Sequence, residues 1–148
     1  MATTPQLILP KAYIAEATKK IKMASKRVYV MAMMFVEDNA TDGLIQALCD
    51  AAERGVEVNV CGDTFTYTDL QGSYVPTTYR NKRVRDANAV QKKLKKSGAD
   101  FHWLGRFSIV AFSGRTHIKW CILDDTVYSF GDINLDQASV EYTDYMFV

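Results

Sequence analysis

The sequence predicts an α/β fold, a mixed, largely parallel sheet with helices on both faces. Apolar runs of strand-forming residues alternate with amphipathic stretches of ten or more residues, long enough to serve as crossovers between parallel strands. The run Val28-Tyr29-Val30-Met31-Ala32-Met33-Met34-Phe35 has no polar alternation, the pattern of a strand covered on both sides. Neither an internal repeat nor a low-complexity segment interrupts this order.

Pro10 fits a first helical turn, and Ile14, Ala17, Ile21 and Ala24 recur at helical spacing among lysines, so a helix is expected over residues 11–25. The apolar strand of residues 28–35 follows. Thr41-Asp42-Gly43 opens a second helix with Leu44, Ile45, Leu48, Ala51 and Ala52 as its buried stripe, stopping near Gly55. Residues 56–61 read as the next strand. From 62 to 85 periodicity gives way to Thr, Tyr, Gly and charge, and a stretch of that length is expected to be functional or mobile. A third helix over residues 86–97 stops at Gly98, and residues 100–104 form a short strand. Asp124-Asp125 turns the chain into Val127-Tyr128-Ser129-Phe130, and residues 142–148 read as a final strand with no terminating signal.

At 148 residues and 48% hydrophobic content, the chain suffices for one domain with a sizeable core and is too short for two of ordinary size. Residues 1–148 are therefore read as a single domain. Eighteen basic against 17 acidic residues leave a net charge of +1, so no global field favours nucleic acid or a membrane, and any anion site must be local. Cys49, Cys61 and Cys121 lie in expected helix or strand, which fits reduced core thiols and a cytoplasmic setting rather than a disulfide framework. No signal peptide or membrane span is expected, since residues 1–10 lack a basic segment before an apolar core and the apolar run 28–36 is too short to cross a bilayer.

The chemistry concentrates in His117-Ile118-Lys119-Trp120-Cys121-Ile122-Leu123-Asp124 and in Gly131-Asp132-Ile133-Asn134. On an extended strand His117 and Lys119 share one face, while Ile118, Trp120 and Ile122 turn to the other. An imidazole beside an ammonium is a phosphate-handling pair. A neutral imidazole can attack phosphorus to give a phosphohistidine, provided another group protonates the leaving oxygen. Lys119 and the Asn134 amide are placed to donate to the non-bridging oxygens, an arrangement that needs no metal and no cofactor. Asp124, five residues after Lys119, falls on the opposite face by strict alternation, which argues for an orienting or structural role. His102, between Phe101 and Trp103, has no motif around it and is read as a structural residue.

His117-x-Lys119-x(4)-Asp124 followed by Gly131-x-x-Asn134 resembles the signature of the phospholipase D superfamily, and Arg54-Gly55-Val56 and Arg115-Thr116 also look familial. The resemblance covers nearly all of the chain. It implies a phospholipase D-like half with His117, Lys119 and Asp124 as the catalytic set and Asn134 and Lys119 as phosphate binders, Arg115 and Asp144 standing behind them. It also implies a second motif at the same site, from a tandem half of the same chain or from a symmetric dimer; the tandem is favoured, with this chain as its N-terminal half. Two positions depart from the family's pattern. Asp132 stands where a small residue is usual and would repel an anionic substrate if it faced inward. Tyr145 aligns with an acidic residue that supports the histidine, with Asp144 adjacent.

The expected activity is phosphatidyl transfer or phospholipid hydrolysis of the cardiolipin synthase kind, on a phosphatidylglycerol-like lipid, with peripheral contact to a membrane. Its alternatives are a nuclease-type phosphodiesterase acting as a homodimer, using Arg80, Lys82, Arg83, Arg85 and the lysine-rich third helix on nucleic acid, and a non-catalytic binding module. Lys92, Lys93, Lys95 and Lys96 are read first as a solvated helix face, and Met31, Met33 and Met34 as core filling. Tyr67, Tyr74 and Tyr79 are candidates for lipid contact or simple loop packing.

Overall fold

The computed structural model describes residues 4–67, 82–105, 116–129 and 131–148. A two-residue strand β1 (Leu7–Ile8) leads into α1 (Pro10–Met23), where Pro10 occupies the first turn and costs no hydrogen bond. Tyr13, Ile14, Ala17 and Ile21 form its buried stripe. β2 (Arg27–Ala32) follows, then α2 (Asp42–Glu53), which buries Leu44, Ile45, Ala47, Leu48, Cys49 and Ala51. Gly55 ends α2 at φ +85°, a conformation that would strain a side chain; its N–H donates to the Ala52 carbonyl and that of Val56 to Ala51. β3 (Glu57–Asp63) runs into a 3₁₀ turn, Thr64–Tyr67.

α3 (Lys82–Lys96) begins earlier than expected, and β4 (Asp100–Leu104) matches its expected bounds. β5 (Trp120–Leu123) and β6 (Thr126–Tyr128) form a hairpin through Asp124-Asp125, followed by α4 (Gln137–Glu141) and β7 (Met146–Phe147). The final strand is thus shorter than expected. It pairs antiparallel with β1, which periodicity could not reveal because a two-residue strand has no period.

The five-stranded sheet has the order β4-β3-β2-β5-β6, with β2, β3 and β4 parallel and β5 and β6 antiparallel to their neighbours. This is the expected mixed α/β architecture; among the described residues, the helices that pack on the sheet lie over one face. α1, α2 and α3 pack in succession over one face, onto Val28, Val30, Val58, Val60, Phe101, Cys121 and Leu123. The strands β2, β3 and β4 step across the sheet in one direction, so right-handed crossovers place α2 and α3 on the same side. The other face presents Tyr29, Met31, Asn59, Cys61, Trp120, Ile122 and Val127, half-buried or exposed. Among these stands a trough of about 550 Å³ lined by Ile118, Lys119, Trp120, Ile122, Val127, Ser129 and Gly131.

The three cysteines are free thiols, with Cys49 and Cys121 buried. Burial pushes the Cys121 thiol up to about 12, so it is an inert core group. Met34 is buried, as core filling requires, whereas Met33 is half-buried and Met31 lies half-buried on the open face of the sheet. Lys92, Lys95 and Lys96 are exposed, and Lys93 pairs with Glu37 at 2.6 Å. Among the described residues no helix is long and apolar enough to cross a membrane. Arg80, Arg115, Tyr74, Tyr79 and the side chains of Tyr67, Lys82 and Arg83 lie outside the described residues. Arg85 is exposed on α3.

Candidate active site

β5 is antiparallel to β2, so the segment entering β5 stands beside the carboxyl ends of β2 and β3. In open α/β sheets that end collects ligands, because the loops there converge and the strands stop. His117, Ile118 and Lys119 enter β5 in the alternation read from the sequence: Ile118 is 61% exposed, and Lys119 is buried together with Cys121 and Leu123. Asp63, fully buried at the end of β3, fixes this segment. Its Oδ2 accepts the Thr116 N–H at 2.8 Å and its Oδ1 the Phe65 N–H at 2.8 Å, while Thr116 Oγ1 accepts the Ile118 N–H at 3.1 Å. Asp63 has no signal in the sequence beyond a lone carboxylate closing the strand Cys61-Gly62-Asp63, and Thr116 stands out there only as part of the familial Arg115-Thr116 pair.

Lys119 Nζ lies 2.9 Å from His117 Nδ1 and 3.2 Å from Nε2, so the ammonium is close to both ring nitrogens. The Lys119 side chain is 1% exposed, whereas that of His117 is 67% exposed. An ammonium so buried needs a compensating charge, since desolvation costs several kcal/mol per ion. Asp132 supplies it: Lys119 donates to Asp132 Oδ1, and the same oxygen is 3.3 Å from His117 Nδ1. The inward orientation considered for Asp132 is the one observed.

Asn134 is oriented by its backbone neighbour. Its Oδ1 accepts the Met34 N–H at 3.0 Å, which leaves the Nδ2 donors without a hydrogen bond among the described residues. The surrounding backbone is pinned by Leu135 N–H to the Met34 carbonyl and Val36 N–H to the Leu135 carbonyl. Thr66 completes the clamp, donating to the Met33 carbonyl and accepting the Phe35 N–H. Thr66 too was invisible in the sequence, because its role depends on backbone groups 31 and 33 residues away.

The structure does not bring Asp124 to this cluster. It sits in the β5–β6 turn at φ +50°, and five residues of extended chain separate it from Lys119 by about 16 Å. Its carboxylate accepts the N–H groups of Ser25, Lys26 and Arg27 at 3.0, 2.9 and 3.0 Å, joining the end of α1 to the start of β2. A direct catalytic role for Asp124 is therefore corrected to an architectural one. These bonds hold the carboxyl at about 2, below its ordinary 3.8. Because the folded-state value is the lower one, the charge stabilises the fold above about 3.8, and that contribution is lost as the pH falls through about 2. Asp124→Asn is accordingly expected to lower the denaturation midpoint near neutral pH, with the gap to the unaltered protein closing in acid; a gap independent of pH would show that the charge is not responsible.

Asp144 accepts the N–H of the next residue, Tyr145, at 2.7 Å, a local contact that does not reach His117. Tyr145 does lie beside the site, for its carbonyl accepts the Asp132 N–H at 3.3 Å. His102 is registered with Cys61, Met31 and Trp120 in one row across the sheet, three strand spacings from β5, or about 14 Å. Among the described residues no cluster of three or more His, Cys, Asp or Glu could hold a metal ion.

A histidine and a buried lysine thus stand together at the carboxyl end of a mixed α/β sheet, with their partner Asp132 two residues before the fixed Asn134. The chain belongs to the family described as "Cardiolipin synthase, PLD-like domain", which it matches over residues 17–148. Solved structures with the same fold include Nuc, a phospholipase D family member from Salmonella typhimurium, at 19% identity and a TM-score of 0.67, covering 97% of this chain and 82% of that one. NucT from Helicobacter pylori is similar at 16% identity and a TM-score of 0.67, covering 97% and 83%. Phosphatidylserine synthase from Haemophilus influenzae Rd KW20 aligns at 19% identity and a TM-score of 0.68 over 100% of this chain but 34% of that one. No curated protein sequence matches the chain.

Proposed function

We propose that the chain is one catalytic half of a phosphodiester transferase or hydrolase that acts on phospholipids through a phosphohistidine, in the manner of a cardiolipin synthase or a phospholipase D. The observation that carries this reading is the convergence of His117 and Lys119 at 2.9 Å. In the first step a lone pair on the His117 ring attacks phosphorus, the bond from phosphorus to the leaving alcohol breaks, and that oxygen takes a proton from an acid. In the second, an alcohol or water gives its proton to the same group, attacks phosphorus and breaks the phosphorus–nitrogen bond, restoring His117. Lys119 and Asn134 hold the non-bridging oxygens as charge grows on them. The scheme uses no metal ion or cofactor.

His117 cannot be both nucleophile and acid, and His102 is too far away to help. The acid comes from a second His-Lys-Asp half, supplied by the same polypeptide or by a second copy of the chain. The phospholipid reading is supported by the family's description. A nucleic-acid phosphodiester is the second reading, since α3 exposes Lys92, Lys95 and Lys96. α3 delivers Lys95 and Lys96 to the end of the sheet where β4 begins, opposite to His117, while its first turns, which carry the exposed Arg85, lie at the end where His117 stands. The family's description ranks the lipid first.

The test is turnover of phosphatidylglycerol vesicles against single-stranded DNA, with chelator present, over a range of concentrations of this chain and of any longer product of its gene. Lipid turnover is expected; DNA turnover alone would favour the nuclease, and silence on both substrates a binding module. Lys119→Met separates function from folding. It removes a buried charge and frees a half-exposed carboxylate, so thermal stability is expected to hold or rise while turnover falls by about 10²–10³-fold. Retained turnover in the folded variant would remove Lys119 from the chemistry.

A further inference from the structure

We propose that Asp132 selects the charge of the ligand at this site: it is a resident anion on Lys119 that an incoming phosphoryl group must displace, so the site takes singly charged phosphodiesters and disfavours doubly charged phosphomonoesters. The proposal rests on the phosphodiester reading above. Lys119 Nζ has Asp132 as its carboxylate partner among the described residues, and the same oxygen lies 3.3 Å from His117 Nδ1. The carboxylate therefore occupies the meeting point of the two side chains that would handle a phosphate.

The backbone that carries Asp132 cannot retreat. A Cβ on Gly131 would lie 1.8 Å from the Tyr145 carbonyl oxygen and 2.7 Å from Met146 Cα, so β7 is packed directly against this segment. The Asp132 N–H is bonded to that carbonyl, Ile133 is buried, and Asn134 is tied to Met34. Asp132 can leave Lys119 only by side-chain rotation, and at 55% exposure it has solvent to rotate into. Rotation keeps the carboxylate within a few ångströms of any phosphate that replaces it.

Charge then decides what binds. Lys119 and Asp132 cancel, so a diester brings one uncompensated negative charge to the site and a monoester brings two. For a half-exposed, screened carboxylate this repulsion is expected to be about tenfold in affinity for each extra ligand charge. A monoester product of hydrolysis would be expelled faster than a diester product of transfer.

The experiment is calorimetric titration of inorganic phosphate and dimethyl phosphate at about pH 8, where the former is mainly a dianion. The unaltered protein is expected to bind dimethyl phosphate at least as tightly as inorganic phosphate, a comparison that needs no variant. Asp132→Asn is expected to tighten dimethyl phosphate by about tenfold and inorganic phosphate by more, up to about a hundredfold, and Lys119→Met in that background to remove both. A preference of the unaltered protein for the dianion, unchanged or weaker phosphate binding in Asp132→Asn, or no binding by either protein would overturn the proposal. Weaker binding is the result expected if Asp132 merely orients His117. Failure of the catalytic reading looks different: turnover and the His117 adduct would be absent while the charge preference remained.

Discussion

His117→Ala is expected to fold normally and to lower turnover by roughly 10⁴-fold or more, because the imidazole is the group that forms the covalent intermediate in the proposed scheme. The folding half of this expectation follows from position: the ring is two-thirds exposed, and its neighbours Asp63 and Thr116 hold the segment through backbone hydrogen bonds that the substitution does not touch. Substrate saturation kinetics and a thermal melt on one preparation check both halves. Undiminished turnover in a folded His117→Ala protein would reject the phosphohistidine mechanism.

Gly131→Ala is expected to have the largest effect on stability. The added methyl meets main-chain atoms, the Tyr145 oxygen at 1.8 Å and Met146 Cα at 2.7 Å, and a backbone cannot swing aside as a side chain can. Relief requires β7 to move, which also breaks its pairing with β1 and the bridge from Ser129 to Phe147. A cost of about 3–5 kcal/mol, or roughly 10 °C in melting temperature, is expected. A variant that melts within a degree or two of the unaltered protein would show that β7 is not held there.

Much of the site was legible in the sequence because it depends on parity along one strand. His117 and Lys119 share a face and Ile118 and Trp120 take the other, as period-two geometry requires. The same parity moved Asp124 away from the chemistry before its three backbone partners were seen. Tyr145 was aligned with the position of a supporting acid, and its carbonyl does stand against Asp132.

What was not legible depends on tertiary pairing. Asp63 serves Thr116 from 53 residues away, and Thr66 serves Met33 and Phe35 across a turn of chain; neither leaves a periodic trace. α4, at five residues, is too short for a helical stripe to register. Which face α2 and α3 cover is set by strand order, which alternation of helix and strand does not reveal.

The most direct test of the central claim is rapid acid-free quenching during phosphatidylglycerol turnover, followed by intact-mass analysis and peptide mapping of the covalent adduct. The account predicts an acid-labile phosphatidyl adduct on the peptide containing His117, which disappears when an alcohol acceptor is added. Turnover that proceeds with the adduct on another residue, or with none on His117 at any quench time, would contradict it.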